Sequence, residues 1–238
     1  MIPKIIHYCW FGGAKKSKLI QKCMQSWHKF CPDYEIKEWN ETNFDIHCCK
    51  YVEEAYVAKK WAFVSDYCRF YALNKFGGVY LDTDVELLKD LRSLMSSAFM
   101  GFESPKRLNP GLICGCEKKD IHCNNLLEEY NNDVFVVSDG EYNLRTVCDR
   151  ATDEFIKYGL KLDNSTQRID NYTIFSQEYF NPCDFEKTGK IEITDNTISI
   201  HHYSGSWVDK KSKRRGNIYK LLCRLFGVKF ADNVRNKF

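Results

Sequence analysis

The sequence predicts an α/β fold, a three-layer sandwich in which helices cover both faces of a predominantly parallel central sheet. Apolar strand patterns alternate with amphipathic helical patterns along most of the chain, which is the order that parallel sheets require. The 238 residues are enough for a sizeable buried core, and the hydrophobic fraction of 44% is typical of a globular protein. No apolar stretch approaches the roughly 20 residues that cross a bilayer.

The first half of the chain divides into elements at its glycines and prolines. Gly12-Gly13 follows an apolar strand, Pro32 marks a turn, and Gly77 supplies the positive φ that ends a helix. Between these breaks, apolar residues either recur at helical spacing or form short runs. The predicted elements are strand Lys4–Cys9, helix Lys16–Phe30, strand Tyr34–Trp39, helices Asp45–Val57 and Lys60–Phe76, and strand Val79–Leu81.

Turn residues divide the second half in the same way. Ser104-Pro105 ends a strand, and Asp195-Asn196 provides the turn of a late hairpin. Ligands of such sheets bind beyond the carboxyl ends of the strands, which is where Asp82 is expected. The predicted elements are strands Val85–Leu88, Phe99–Phe102 and Leu112–Cys116, helices Asp120–Tyr130 and Tyr142–Tyr158, and a hairpin of Ile191–Ile193 with Ile198–His202.

Two carboxylates, Asp82 and Asp84, follow the strand Val79–Leu81. Side chains alternate across an extended backbone, so both project to the same side. Like charges this close would push one acid toward protonation unless a cation lay between them. Carboxylate oxygens at this spacing suit Mg²⁺ or Mn²⁺, which would in turn bridge the diphosphate of a nucleotide. By itself, such a pair is more often just two solvated acids at a strand end.

The helix before this strand carries Asp66 and Arg69 three positions apart, so the two are neighbours on its surface. One interpretation is an ordinary ion pair. The other is a carboxylate that accepts sugar hydroxyls beside a guanidinium that stabilises a diphosphate.

Three motifs in sequence order resemble glycosyltransferase family 32, the Asp-x-Asp sugar transferases akin to capsular polysaccharide enzymes, fungal mannosyltransferases and glucosylating toxins. Trp61–Glu86 has the S-D-x-x-R and G-G-x-Y-x-D-x-D order, Ile2–Gly13 matches the first strand and nucleotide loop, and His201–Trp207 matches the closing histidine and Ser-Trp motif. The resemblance implies a GT-A type, Rossmann-like fold. The middle, about residues 106–196, carries little signature and is expected to shape the acceptor pocket, including Asn109-Pro110-Gly111 and Asp170-Asn171.

The resemblance also implies roles for individual residues. Asp66, Arg69, Asp82 and Asp84 are the expected catalytic residues. Asp82, Asp84 and His202 are the expected ligands of Mn²⁺ or Mg²⁺, with His201 as the fallback. Trp10 is expected to stack on the base, although a core position is the alternative, and Tyr80 is equally compatible with a buried strand position. The expected donor-binding residues are Trp10, Gly12, Ser65, Asp66, Arg69, Tyr80, Asp82, Thr83, Asp84, Ser206 and Trp207.

The expected activity is metal-dependent, retaining transfer of a hexose or N-acetylhexosamine. The donor is a nucleotide sugar, with UDP-glucose, UDP-galactose or their N-acetylated forms favoured, and the acceptor is a hydroxyl of a surface polysaccharide, another glycan or a lipid-linked glycan. Two alternatives remain at this point. One is a haloacid-dehalogenase-type phosphatase with Asp82 as its nucleophile. The other is a non-catalytic, membrane-peripheral binding module whose acids hold a structural cation.

Charge divides the chain into an expected transferase domain, residues 1–207, and a basic amphipathic tail, residues 208–238. The tail has a net charge of +8 and the whole chain +3. Such a tail suits an anionic membrane surface, with a solvated packed helix or a nucleic-acid patch as alternatives, and no nucleic-acid motif accompanies it. The start of the sequence has no signal-peptide pattern, and its twelve scattered cysteines include no Cys-x-x-Cys. We therefore expect a cytoplasmic protein with reduced thiols. The tail would associate it with the inner face of the cell membrane.

Overall fold

The computed structural model describes residues 1–183 and 191–205, together with residues 218, 219, 222, 223 and 227. The α-helices are α1 (Lys18–Phe30), α2 (Lys50–Val57), α3 (Trp61–Phe76), α4 (Ile121–Asn131) and α5 (Val147–Ile156). The strands are β1 (Ile5–Cys9), β2 (Glu35–Trp39), β3 (Gly78–Tyr80), β4 (Val85–Leu87), β5 (Ala98–Ser104), β6 (Arg107–Leu108), β7 (Cys114–Cys116), β8 (Gln167–Ile169), β9 (Tyr172–Phe175) and β10 (Ser199–His201).

The main sheet has the strand order β2-β1-β3-β7-β5-β9-β8, with β6 paired to the outer part of β5. β1 is parallel to β2 and β3, and β5 is parallel to β9, whereas β7 and β8 are antiparallel to their neighbours. β2, β1, β3, β5 and β9 therefore run in one direction. A second, two-stranded sheet pairs β10 with β4. The predicted mainly parallel α/β fold is confirmed.

Apolar side chains pack on both faces of the sheet, which gives the three layers. One core joins the sheet to α2, α3, α4 and α5 and includes Val64, Leu126 and Phe155. The other core lies beneath α1 and the small sheet and includes Trp27 and Leu87. Both cores leave the carboxyl ends of β1 and β3 at one edge, where Trp10 and Asp82 follow their strands.

The turn between α3 and β3 is compact because two glycines occupy it. Gly77 has a φ of +66° and Gly78 a φ of +110°, and a Cβ on Gly78 would lie 2.7 Å from the Ile5 carbonyl oxygen. The buried His7 ring fastens this turn to β1, since its Nε2 lies 2.8 Å from the Gly77 carbonyl oxygen. Trp39 Nε1 donates to His7 Nδ1 at 3.1 Å, so the neutral ring donates to Gly77. Burial lowers the pKa of His7 to about 4.

Several predicted elements differ from the observed ones. The predicted late hairpin is wrong: Ile191 forms an isolated bridge with Cys183, and β10 pairs with β4 instead. The predicted helix 142–158 begins only at Val147, because Thr146 and Asp149 form a capping box there. The predicted helix 45–57 begins at Lys50. Strands β8 and β9 were not predicted.

Candidate active site

Asp66 and Arg69 lie side by side on α3 and reach the end of β3. Arg69 Nη2 donates to Asp66 Oδ1 at 2.7 Å and lies 3.4 Å from Asp82 Oδ1. The guanidinium also lies over the Tyr80 ring, 4.8 Å from its centroid. Its buried Nη1 has no hydrogen-bond partner among the residues that the structure describes. The guanidinium therefore joins two acids and retains N–H capacity for another group.

Asp66 is an acid with an unusual proton affinity. Its burial raises the pKa to about 6; Arg69 opposes this rise and the Asp82 carboxylate adds to it. Near neutral pH the carboxylate form accepts hydrogen bonds, as recognition of sugar hydroxyls requires.

Asp82 is enclosed by its neighbours in sequence and by the loop before β7. Tyr80 Oη donates to Asp82 Oδ1 at 3.1 Å. The Asp82 N–H donates to the Gly111 carbonyl oxygen at 3.0 Å, and a Cβ on Gly111 would lie 2.1 Å from Asp82 Oδ2. Asn109 Oδ1 accepts from the Gly111 N–H at 2.7 Å. The Asn109–Gly111 loop thus contacts Asp82 itself, a contact that no local sequence pattern indicates. Asp170, by contrast, lies 3.4 Å from the buried His122.

Asp84 is held by the last residue of β10 and by the segment after it. His201 Nε2 lies 3.0 Å from Asp84 Oδ1, and the Ser204 N–H donates to Oδ2 at 2.6 Å. Tyr203 makes this possible because its φ of +47° turns the chain, placing its ring 4.1 Å from the His201 ring. Although burial favours the neutral acid, the His201 and Ser204 contacts hold the pKa of Asp84 well below its usual range. Burial alone would lower the pKa of His201, but Asp84, with Asp82 and Glu103, raises it.

The two histidines of the closing motif have different partners. His202 Nε2 lies 2.8 Å from Glu86 Oε2, and Lys22 Nζ lies 2.8 Å from Glu86 Oε1. Thus His201, predicted as the alternative metal ligand, contacts Asp84. His202, predicted as the preferred metal ligand, contacts Glu86. The register of β10 on β4 determines which carboxylate each histidine contacts. It pairs His201 with Val85, and the His202 N–H donates to the Asp84 carbonyl oxygen.

The loop after β1 contains Trp10 and packs, through Gly12, against Trp61 at the start of α3. Trp10 is half-buried rather than part of the core, and its Nε1 donates to the Ala14 carbonyl oxygen at 2.7 Å. Gly12 has a φ of +81°, and a Cβ there would lie 2.5 Å from Trp61 Nε1. Gly12 therefore admits the Trp61 ring. The sequence assigns Trp61 only to the apolar face of its helix.

The remaining predicted residues lie in the backbone around this centre or outside the described residues. Ser65 Oγ donates to the Trp61 carbonyl oxygen at 2.9 Å within α3. Thr83 occupies the turn closed by the Val85 N–H on the Asp82 carbonyl oxygen at 3.0 Å. Ser206 and Trp207 lie outside the described residues, as does most of the tail 208–238. None of the described helices is long and apolar enough to span a membrane.

The donor set at this edge of the sheet fits a hard divalent cation. An ionised buried carboxylate, a half-buried carboxylate and an imidazole nitrogen are ligands that Mn²⁺ and Mg²⁺ accept. A different, buried group is the one that brings three ligand atoms within 4.8 Å of one another among the described residues: Cys116, Asp120 and Cys123. In that group Asp120 Oδ1 accepts from the Cys123 N–H and from Tyr172 Oη, both at 2.9 Å.

Known proteins resemble the chain in its motif region and its fold. Residues 17–100 match the family described as the glycosyltransferase sugar-binding region containing DXD motif. A solved structure entitled PaToxG glycosyltransferase is similar with a TM-score of 0.50 and 18% identity, over 66% of this chain and 69% of that one. A glycosyltransferase involved in glycosylation of the major capsid of PBCV-1 gives a TM-score of 0.47 and 13% identity, over 86% and 95%. No curated protein matches the sequence.

The family match covers the Asp66–Arg69 pair and both acids of the Asp-x-Asp motif. The PaToxG glycosyltransferase structure supports the fold. Residues 17–100 therefore resemble the DXD-containing glycosyltransferase region, and the fold resembles that of the PaToxG glycosyltransferase, which is of the GT-A type.

Proposed function

We propose that this glycosyltransferase moves a hexose or N-acetylhexosamine from a nucleotide sugar, a UDP-sugar by preference, to a hydroxyl of a glycan acceptor, with retention of the anomeric configuration. The observation that carries the proposal is the contact of Arg69 with both Asp66 and Asp82, next to the ionised Asp84. This places a guanidinium with N–H capacity beside two acids at the carboxyl end of β3. A leaving diphosphate and a sugar need complementary groups of this kind.

The chain's own residues account for binding of the donor. Asp66 accepts hydrogen bonds from sugar hydroxyls and so fixes the direction of attack. Arg69 donates to the diphosphate, where negative charge develops as the sugar leaves. The half-buried Trp10 offers its ring to the base, and Tyr80 holds Asp82 in place. Ser206 and Trp207 are proposed to donate to the diphosphate from the segment after Gly205.

Asp82, Asp84 and His201 are the residues that would hold Mn²⁺ or Mg²⁺. A cation at that position supplies positive charge to the diphosphate. His201 replaces His202 in this proposal because its Nε2 lies 3.0 Å from Asp84, whereas His202 contacts Glu86.

Retention is proposed to follow from front-face attack. The anomeric carbon–oxygen bond breaks with its electron pair on the leaving phosphate, and the acceptor oxygen attacks from the same face. The acceptor proton passes to that phosphate oxygen. An α-linked product from an α-linked donor, observed by proton NMR, is the expected result, and a β-linked product would overturn this step.

A surface polysaccharide or lipid-linked glycan is the proposed acceptor. Support comes from the basic tail 208–238, whose net charge of +8 suits a protein that works at an anionic membrane surface. The tail remains a prediction from sequence.

A screen of nucleotide sugars with Mn²⁺ for slow hydrolysis tests the proposal. We expect one UDP-sugar to be hydrolysed, and chelation with EDTA to abolish the activity. The Asp84→Asn variant should fold but lose turnover. Failure of every nucleotide sugar would overturn the proposal. Trapping of Asp82 by beryllofluoride would instead favour the phosphatase alternative.

A further inference from the structure

Glu103 is a half-buried carboxylate that hydrogen bonds connect to Asp82 through Asn109 and Gly111, and none of the sequence motifs includes it. It lies on β5, where the pairing with β6 shifts register between Phe102 and Ser104. Irregularities of this kind redirect a side chain and are frequent beside active sites. The backbone is fixed on the other side, since Asn181 Nδ2 donates to the Glu103 carbonyl oxygen at 2.8 Å.

A short chain of hydrogen bonds connects Glu103 to Asp82. Asn109 Nδ2 donates to Glu103 Oε2, and Asn109 Oδ1 accepts from the Gly111 N–H at 2.7 Å. The Gly111 carbonyl oxygen in turn accepts from the Asp82 N–H at 3.0 Å. The position of Glu103 is thereby coupled to the position of the acid that binds the donor.

Glu103 and Asp66 both act electrostatically on a third residue, Cys148. Cys148 Sγ lies 3.7 Å from Glu103 Oε2, and after burial the charges of Glu103, Arg107 and Asp66 are the largest influences on the pKa of that thiol. On the other side, the Glu103 charge helps to raise the pKa of His201, the ring against Asp84. Glu103 therefore lies within electrostatic range of both halves of the site.

The Glu103 carboxylate is half-buried without a cationic partner. In the part of the chain that the structure describes, no Lys, Arg or His forms an ion pair with it. Arg107 instead lies 3.5 Å from Asp149 and donates to Thr146 Oγ1 at 2.9 Å. Both side-chain contacts of Glu103 fall on Oε2, and Oε1 accepts no hydrogen bond from the described residues. Oε1 is therefore a spare acceptor for a ligand hydroxyl.

We propose that Glu103 binds the acceptor: Oε1 accepts a hydrogen bond from the hydroxyl that attacks the donor sugar, or from water when the donor is hydrolysed. This inference rests on the proposed function. The acceptor oxygen forms its bond to the anomeric carbon while the phosphate leaves with the electron pair and takes the acceptor proton. Glu103 gains no proton and fixes the direction of the attacking oxygen. Its negative charge also selects acceptors that are neutral around the reacting hydroxyl, because a nearby phosphate or carboxylate would be repelled.

The test compares donor binding with donor hydrolysis in Glu103→Gln and Glu103→Ala. The probe is Mn²⁺ with UDP-glucose, or with whichever nucleotide sugar the wild-type protein hydrolyses, and Glu35→Gln, at an exposed position on β2, is the matched control. We expect hydrolysis to fall by about 100-fold in Glu103→Ala, which loses the oxygen that positions the attacking hydroxyl, and by less in Glu103→Gln, whose amide oxygen still accepts a hydrogen bond. The donor Kd, measured calorimetrically, should change by less than about twofold because donor contacts are intact.

Rescue by a small carboxylate separates acceptor binding from a structural role. Formate added to Glu103→Ala should restore part of the hydrolysis, and it should not stimulate Glu35→Gln. Wild-type hydrolysis rates in the Glu103 variants would overturn the inference while leaving the proposed function intact. A weakened donor Kd with no formate response would also overturn it, since Glu103 would then only support the fold of the donor site. A wild-type protein that hydrolyses no nucleotide sugar would overturn both.

Discussion

Gly111 is the residue whose lack of a side chain matters most to the candidate site. A Cβ there would lie 2.1 Å from Asp82 Oδ2 and 2.9 Å from Arg69 Nη1, so alanine must displace both groups. We expect Gly111→Ala to lower kcat/KM by about 100-fold, because a displacement of roughly 1 Å at reacting groups has that effect. Steady-state hydrolysis of the nucleotide sugar measures it.

Gly159→Ala is the control for this glycine substitution. Gly159 has a φ of +93°, and a Cβ there would have no atom within 4 Å, so alanine introduces backbone strain alone. It should lower the free energy of unfolding by about 1 kcal/mol and leave turnover unchanged. Equal losses of activity in the two variants would contradict the assigned role of Gly111.

The two adjacent histidines form a matched pair for the proposed cation site. We expect His201→Gln to weaken Mn²⁺ binding about 10-fold or more, because it removes a proposed ligand beside Asp84. The Mn²⁺ affinity of His202→Gln should stay within about twofold of the wild-type value, because His202 contacts Glu86. Calorimetric titration with Mn²⁺ in the presence of UDP measures both values. A larger loss of Mn²⁺ affinity in His202→Gln than in His201→Gln would instead indicate that His202 is the ligand.

His7 should make the stability of the protein depend on pH. Its folded pKa of about 4 lies below its ordinary value of 6.5, so the unfolded chain binds the extra proton between these values. Stability contributed by the neutral ring is present above pH 6.5 and is lost as the pH falls, by about 2 kcal/mol from pH 7 to pH 5.

The difference between wild type and His7→Gln in urea unfolding isolates this effect from other groups. Glutamine can keep a donor toward Gly77 and an acceptor toward Trp39 but does not titrate. A difference that does not change with pH would contradict the assignment. Asp66 acts in the opposite sense, since its raised folded pKa makes its contribution less favourable as the pH rises from about 4 to 6.

Helix α5 begins where it does because of a local capping arrangement. Thr146 accepts from the Asp149 N–H, and the Asp149 side chain accepts from the Thr146 N–H. Thr146→Ala should lower the free energy of unfolding by about 1 kcal/mol. Thr42→Ala, at an exposed turn, should change it by less than about 0.5 kcal/mol, and equal effects in urea unfolding would contradict the capping role.

The elements that sequence predicts well are those with a local signal. Helix α3, its stop at Gly77 and the acids after β3 follow from periodicity and glycine conformation. The partner of β10 could not be predicted in this way, because a three-residue strand has no pattern that specifies β4. The same reason applies to the two closing histidines: only the register of β10 on β4 shows that His201 contacts Asp84 and His202 contacts Glu86.

Glu103 and the contact of Gly111 with Asp82 escaped prediction for a different reason. Both lie in the middle of the chain, where no motif marks them, and both contact residues distant in sequence, Cys148 for Glu103 and Asp82 for Gly111. The Asn109–Gly111 loop was expected to shape an acceptor pocket. The structure adds that it contacts Asp82 directly.

For the molecule as a whole, charge separates a mildly acidic body from a basic tail. If the tail binds an anionic membrane surface, replacing Lys210, Lys211, Lys213, Arg214 and Arg215 by glutamine should release the protein from phosphatidylserine vesicles at low salt. Hydrolysis of a soluble nucleotide sugar should be unchanged. Retention on the vesicles after this substitution would contradict a membrane role for the tail.

The central claim is that one edge of the sheet holds a divalent cation and the diphosphate of a sugar donor. Anomalous diffraction from a crystal containing Mn²⁺ and a UDP-sugar tests it most directly. The account predicts a manganese peak bounded by Asp82, Asp84 and His201, with Arg69 on the diphosphate. A peak at Cys116, Asp120 and Cys123 instead, or a nucleotide bound away from Arg69, would contradict it.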